Sequence, residues 1–163
     1  MNKILLTGST GYLGSSFLKQ YKNKYSFEKF SLLNQKLKDI NFDSIDIILH
    51  CAALVHQKVE HSYEKYHEIN VDYPIKLAKL AKQNGVKQFV FISTIAVYSK
   101  DEEKLDENTI CDPITPYGKS KLEAEKQLLE LNDDDDFIVS IIRPPMIYGK
   151  NAPGNIDSLV KLV

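Results

Sequence analysis

A chain of 163 residues, 43% hydrophobic and 26% charged, has the length of one domain and enough apolar content to bury a real core. Its formal net charge of −1 provides no field to recruit nucleic acid or an anionic membrane, and apolar runs such as Phe89-Val90-Phe91-Ile92 are far too short to span a bilayer. Met1-Asn2 leads straight into a strand pattern with no signal peptide, and Cys51 and Cys111 lack metal-ligand spacing, so the chain reads as cytoplasmic with reduced thiols.

The chain opens on Lys3-Ile4-Leu5-Leu6, a short buried-strand pattern, followed by Thr7-Gly8-Ser9-Thr10-Gly11-Tyr12-Leu13-Gly14. Glycines at this spacing permit positive φ and close backbone approach to a ligand. The helix that follows directs unpaired N–H groups and its positive dipole end into the turn, where pyrophosphate is the usual occupant. The same pattern also serves a plain strand-to-helix connection. The helix runs from Tyr12 to about Lys22, with Leu13, Phe17 and Leu18 inward and Tyr21 one turn on.

A second strand is expected over 27–33, ending Phe30-Ser31-Leu32-Leu33. The segment 35–44 is too short for a full crossover helix, so one turn and a brief edge strand at Asp39-Ile40 are expected. Ile45-Asp46-Ile47-Ile48-Leu49-His50 is a strong strand. A long helix follows over about 63–84, with an apolar stripe of Ile69, Tyr73, Leu77, Leu80 and Ala81 and with Gly85 as its C′ residue. Pro74 predicts a kink or restart near Asp72.

Residues 86–93 read as a buried strand and 99–114 as a surface loop. Thr115-Pro116-Tyr117 opens a helix to about Leu131, with Thr115 as N-cap and Pro116 at N1. Asn132 with its four aspartates reads as a solvated turn. Residues 137–142 form the last strand, which Arg143-Pro144-Pro145 stops, and an amphipathic helix starts at Asn155. Alternating strands and helices predict an α/β, doubly wound parallel sheet of order 3-2-1-4-5-6, with the ligand at the switch point beside the first strand. The chain ends on an uncapped apolar helical pattern, Ser158-Leu159-Val160-Lys161-Leu162-Val163. It is therefore expected to be the N-terminal part of a longer protein, with residues 1–150 as the nucleotide-binding domain and 151–163 as the start of a truncated substrate-binding segment.

Chemistry concentrates at carboxyl ends of the predicted strands. Tyr117-Gly118-Lys119-Ser120-Lys121 puts Tyr117 and Lys121 on one helical face, one turn apart. Ser93-Thr94 supplies hydroxyls one element upstream. A hydroxyl, a phenol and an ammonium can together run hydride chemistry at a carbinol carbon. A tyrosine pKa near 10 is too high for a base at neutral pH. A lysine cation and a positive nicotinamide would favour the phenolate, so Tyr117 would exchange a proton with a sugar oxygen that Thr94 also hydrogen-bonds. The hydride acceptor must be a cofactor, whose ribose Lys121 would also hold. His50 reads as a packed, hydrogen-bonded histidine rather than a base. His56, His61 and His67 are too irregularly spaced for a metal site.

These segments, in order and across the whole chain, resemble the extended short-chain dehydrogenase/reductase family in its NAD-dependent epimerase/dehydratase branch. Thr7 to Gly14 is similar to the family's Thr-Gly-x-x-Gly-x-x-Gly turn. Asp39-Ile40 resembles its adenine-contacting Asp-apolar pair, and His50-Cys51-Ala52-Ala53, with Leu54 following, resembles the strand end that lies along the cofactor. Asn70 matches a helix asparagine. Ser93-Thr94 through Val97-Tyr98 resembles the Ser-Ser/Thr-x-x-Val-Tyr segment, and Arg143-Pro144-Pro145-Met146-Ile147-Tyr148-Gly149 resembles the Arg-Pro-x-x-x-Tyr-Gly segment that closes over the nicotinamide.

The resemblance implies catalytic Thr94, Tyr117 and Lys121. It implies NAD or NADP held by Gly8, Gly11, Tyr12, Leu13, Gly14, Asp39, Ile40, Ala52, Ala53, Leu54, Asn70, Pro144, Tyr117 and Lys121. It also implies a nucleotide-diphosphate sugar as substrate, and a homodimer through the helices at about 63–84 and 116–131. Two departures stand out. The second strand leads to Asn34 rather than to the carboxylate that prefers NAD, and Lys36 and Lys38 would either favour NADP or be solvated loop lysines. Met146 stands where many relatives carry an asparagine on the substrate phosphate. Ile95-Ala96 after Thr94 ranks a dehydratase below an epimerase or a 4-keto reductase, with a non-catalytic dinucleotide sensor of the same fold as the competing class.

Overall fold

A computed structural model of the chain describes residues 1–32, 34–55, 61–98, 104–149 and 152. Leu33, His56, residues 99–103 of the expected surface loop and the expected C-terminal helix lie outside these residues. The described chain runs β1 (Lys3–Thr7), α1 (Tyr12–Tyr21), β2 (Ser26–Phe30), a 3-10 turn (Leu37–Asp39), β3 (Ile47–His50), α2 (Tyr63–His67), a π turn (Glu68–Asp72), α3 (Tyr73–Gln83), β4 (Gln88–Ile92), a second 3-10 turn (Ile95–Val97), α4 (Pro116–Leu129) and β5 (Ile138–Ile142).

The strands form one parallel sheet of order β2-β1-β3-β4-β5. This is the expected order without its outermost strand. The brief edge strand predicted at Asp39-Ile40 does not form. The Asp39 N–H donates back to the Lys36 carbonyl at 2.9 Å and the Ile40 N–H to the Leu37 carbonyl at 3.3 Å, so the segment closes on itself instead of pairing with β2. The second strand also stops at Phe30. The Ser31 N–H is taken by the Gln35 side chain at 2.8 Å, and the Ser31 carbonyl accepts from the Asn34 and Gln35 N–H groups, which turns the chain directly after the strand.

Strand residues alternate between two apolar layers, as the period-2 pattern of a sheet covered on both faces requires. On one face Leu5, Ile48, Phe89, Phe91 and Val139 pack with Leu77, Ala78 and Ala81 of α3 and Ala124 and Leu128 of α4. On the other, Ile4, Leu6 and Leu49 pack with Phe17 and Leu18 of α1 and with Phe27. Each wholly buried Phe or Leu contributes about 1.5–3 kcal/mol.

The long helix of the sequence reading is three pieces. Pro74 has no N–H for the carbonyl four residues back, and the Tyr73 N–H reaches five residues back to Glu68, which restarts the helix at the expected place. The π turn rotates the buried face. Tyr66, Val71, Ile75, Leu77, Ala78 and Ala81 are buried, while Ile69, Tyr73 and Leu80 from the expected stripe are only half-buried. Helix α4 starts as predicted, with the Thr115 hydroxyl accepting from the Gly118 N–H at 3.0 Å and Pro116 in the first turn. The aspartate run is a tight turn in which Asp133 and Phe137 pair, flanked by ion pairs from Lys82 to Asp133 and from Lys87 to Asp136. No helix among the described residues is long and apolar enough to cross a membrane.

Candidate active site

The sheet register brings the carboxyl ends of the strands level: Thr7 lies opposite both Phe30 and His50, and His50 opposite Phe91. Because β1 is flanked by β2 on one side and β3 on the other, the loops leaving them diverge and open a crevice of about 380 Å³. Gly8, Ser9, Thr10 and Gly11 form its floor, Phe30, Ser31 and Leu32 one wall, and Cys51, Ala52, Ala53, Leu54 and Ile69 the other.

Two of the three turn glycines have no room for a side chain. Gly8 sits at φ +69°, where a Cβ would come within 2.6 Å of the Ala52 backbone nitrogen, and a Cβ at Gly14 would collide with the Gly8 carbonyl. The Gly11 N–H donates to the Gly8 carbonyl at 3.0 Å. Gly11 is the N-cap of α1 and supplies no side-chain cap, so it leaves the first-turn N–H groups of α1 without a capping side chain beside the crevice floor. The turn therefore fits a pyrophosphate by its own geometry.

Asn70 is buried, and its amide is used up within the protein. Its Oδ1 accepts from the Leu54 N–H at 2.7 Å, and its Nδ2 donates to the Leu54 carbonyl and to Ser120 Oγ, each at 3.0 Å. It holds the Leu54 wall rather than lining the crevice. Asp39 and Ile40 also lie outside the lining. Asp39 is exposed, and Ile40 packs against the main core. Lys36 and Lys38 border a separate surface recess with Glu68, Asp72 and Lys76.

The expected hydroxyl and phenol lie side by side, while the Lys121 amine, one turn along α4, packs over Phe91. Thr94 hydrogen-bonds Tyr117, and Thr94 Oγ1 also accepts from the Ala96 N–H at 3.1 Å. Gly118 permits this approach, since a Cβ there would collide with the Ala96 carbonyl. Burial pushes the Tyr117 phenol above its ordinary range, with the Thr94 hydrogen bond pulling the other way and Tyr66 adding to the rise. The lowering that the sequence argument assigned to Lys121 is not among the influences on the phenol, which burial dominates.

Lys121 has no exposed surface, and its Nζ has no hydrogen-bond partner among the described residues. It stands 3.7 Å over the Phe91 ring centroid. Burial drives its pKa down to about 7, with Glu125 and Cys51 opposing. His50 is fully buried, stacked near Phe91, with Nδ1 3.0 Å from Thr7 Oγ1. Burial first, then Lys121, lowers it to about 3 against a pull from the Ala52 backbone, so it is a neutral packing residue. The Cys51 thiol is pushed up to about 11, chiefly by burial. His67 pairs with Glu123 and Asp72.

The segment after β5 folds back over this region. The Pro144 carbonyl accepts from the Ile95 N–H at 3.2 Å, and a Cβ at Gly149 would collide with the Tyr12 hydroxyl. Met146 is exposed. Phe30, Ser31, Leu32 and Ile69 in the crevice, and Gly118 and Glu125 of α4, were not assigned a site role from the sequence. The usable signals were the strand-end position of the first three and a glycine inside a helical first turn.

The family described as NAD dependent epimerase/dehydratase family matches residues 4–162. UDP-glucose 4-epimerase of Vibrio cholerae is 35% identical over 186 residues, which cover 98% of this chain and 56% of that protein. Among solved structures, MoeE5 in complex with UDP-glucose and NAD shares the fold with a TM-score of 0.82 at 24% identity, over 98% of this chain and 60% of that one. The dTDP-4-dehydrorhamnose reductase from Bacillus anthracis in complex with NADP superposes with a TM-score of 0.78 at 26% identity, over 99% of this chain and 60% of that one. The chain spans about half the length of the curated relatives it matches.

Proposed function

The chain belongs to the NAD-dependent epimerase/dehydratase family, and we propose that the full-length protein is an NAD(P)-dependent nucleotide-sugar epimerase or 4-keto reductase in which Tyr117 acts as acid and base at a sugar oxygen. The observation that carries this reading is the Thr94–Tyr117 hydrogen bond at the carboxyl edge of the sheet, with the Lys121 amine, which has no hydrogen-bond partner among the described residues, one helical turn along. The names of the relatives, a UDP-glucose 4-epimerase and a dTDP-4-dehydrorhamnose reductase, support the substrate class.

In this reading Gly8, Gly11, Tyr12, Leu13 and Gly14 hold the pyrophosphate through backbone N–H groups. Ala52, Ala53 and Leu54 run along the cofactor, Asn70 serves by fixing Leu54, and Asp39 and Ile40 lie toward the adenine end. Pro144 closes over the nicotinamide, and Lys121 bonds the ribose. When bound, the nicotinamide supplies the hydride acceptor that no side chain can. Thr94 orients the sugar oxygen, and Tyr117 removes or returns its proton, with the Lys121 cation favouring phenolate. Residues 1–150 form the dinucleotide domain, 151–163 begin the substrate segment, and α2 to α4 carry a homodimer face.

The test is Tyr117→Phe in the full-length protein. Turnover on UDP- and dTDP-sugars falls by about 10²–10⁴-fold, while NAD(P) binding by titration stays within about twofold of the parent. Retained turnover refutes the mechanism.

A further inference from the structure

Arg143, just past β5, lies where three segments meet. Its two chain neighbours hold the residues on either side of Thr94: the Ile142 carbonyl accepts from the Ser93 N–H at 2.7 Å, and the Pro144 carbonyl from the Ile95 N–H at 3.2 Å. Its side chain reaches across to α4. Nε lies 3.2 and 3.1 Å from the two carboxylate oxygens of Glu125, and Nη2 lies 2.6 Å from Oε2. Glu125 is the only buried carboxylate among the described residues, 1% exposed. It stands eight residues past Tyr117, two helical turns along the same face of α4. The remaining nitrogen, Nη1, donates to the Tyr98 hydroxyl at 2.6 Å, which donates in turn to the Asp106 carbonyl at 2.7 Å. Tyr98 closes the short turn that Thr94 caps.

We propose that Arg143 is a positioning residue, which sets the spacing of Thr94 and Tyr117 by fastening α4, through Glu125, to the strand end and turn that carry Thr94. The use of that spacing rests on the reaction proposed above. Thr94 and Tyr117 sit on separate elements, and the hydrogen bond between them survives only small changes of distance. Gly118 already lies against the Ala96 carbonyl, which stops α4 from moving closer to the turn. The Arg143–Glu125 fork stops it from drawing away. A guanidinium can do this where an ammonium cannot, because its planar donors leave in fixed directions, here onto a carboxylate and a phenol together. Taking the two charges out of water offsets much of their attraction, so a buried pair is a weak source of stability. What the two-oxygen grip adds is geometric definition between the elements that carry it.

The experiment uses the full-length protein and follows Tyr117 itself beside turnover. In cofactor-free protein labelled with 13Cζ-tyrosine, Tyr117→Phe identifies the Tyr117 NMR signal, and Thr94→Val gives its position without the hydrogen bond. Two variants then loosen the fork. Tyr98→Phe cuts the link to the turn and leaves Glu125 paired, and Arg143→Lys keeps the charge but loses the planar donors. In both, the Tyr117 signal moves toward its position in Thr94→Val. The kcat on a UDP- or dTDP-sugar falls by about 10–100-fold, while KM for the sugar and Kd for NAD(P) stay within about twofold. A purely structural pair would lower the melting temperature and leave the signal in place, so an unmoved Tyr117 signal in either folded variant overturns the inference whatever the turnover. Undiminished kcat in a variant whose signal has moved overturns it as well. Should Arg143→Lys fail to fold, Tyr98→Phe decides alone. A moved signal in a protein whose parent turns over no nucleotide sugar overturns the reaction and leaves the spacing relation standing.

Discussion

Gly118 is a helix residue with no room for a β-carbon. An alanine there gains about 1 kcal/mol of helix propensity, but its methyl would collide with the Ala96 carbonyl and stand 3.1 Å from Pro113 Cβ. Backbone yields poorly to such overpacking, which costs about 1–3 kcal/mol. We expect Gly118→Ala to lower thermal stability by up to about 2 kcal/mol net and to reduce turnover, because α4 must lift away from the turn that carries Thr94. NAD(P) affinity, shared with the glycine turn and the wall at 52–54, falls less than turnover. Calorimetry with steady-state kinetics reads all three, and a stabilised variant of full activity contradicts the close-contact argument. The neighbouring Tyr117 and Lys121 were legible because four residues make one helical turn. Gly118 and Glu125 were not, because a glycine in a helix start and a glutamate on a helix look ordinary until the elements they touch are known.

At the scale of elements, the five strands that form were legible from hydrophobic runs, and the helix restart from Pro74. The π turn over Glu68–Asp72 was not, because one extra residue in a turn leaves no compositional mark, although it rotates the whole buried face of α3. That turn aims Asn70 at Leu54, where three hydrogen bonds join the helix, the crevice wall and Ser120 of α4. Asn70→Ala strands the Leu54 N–H and carbonyl, a loss of about 1–3 kcal/mol. We expect the chain to remain folded with a lower melting temperature, and NAD(P) to bind about tenfold more weakly, since the wall at 52–54 loses its anchor. Isothermal titration measures the affinity. Unchanged binding would mean that the Leu54 wall does not bear on the cofactor. The lost edge strand at Asp39-Ile40 follows the same logic: its apolar pair was visible, but the local hydrogen bonds that curl it away from β2 were not.

At the scale of the whole molecule, the core holds charge that a fold optimised for stability alone would not keep. Lys121, ordinarily near 10.5, is held at about 7, so the unfolded chain binds this proton more tightly than the folded one. The penalty is full below about 7, and stability recovers as pH rises from 7 toward 10.5. His50, lowered from 6.5 to about 3, has the same sign on the acid side, so stability falls as pH drops between those values. Cys51, raised from 9.0 to about 11, opposes the alkaline recovery, because the folded state holds its proton longer. Lys121→Met removes one of these contributions and leaves Glu125 paired with Arg143. At one pH unit per about 1.4 kcal/mol, the variant is more stable than the parent by a few kcal/mol near pH 6–7, or roughly 5–10 °C in melting temperature. The difference shrinks toward pH 10, while turnover is lost throughout. Thermal melts of both proteins across pH 5–10 measure it. A variant less stable at neutral pH, or an offset independent of pH, would mean that Lys121 is not a buried cation and that the ammonium is no cost carried for chemistry.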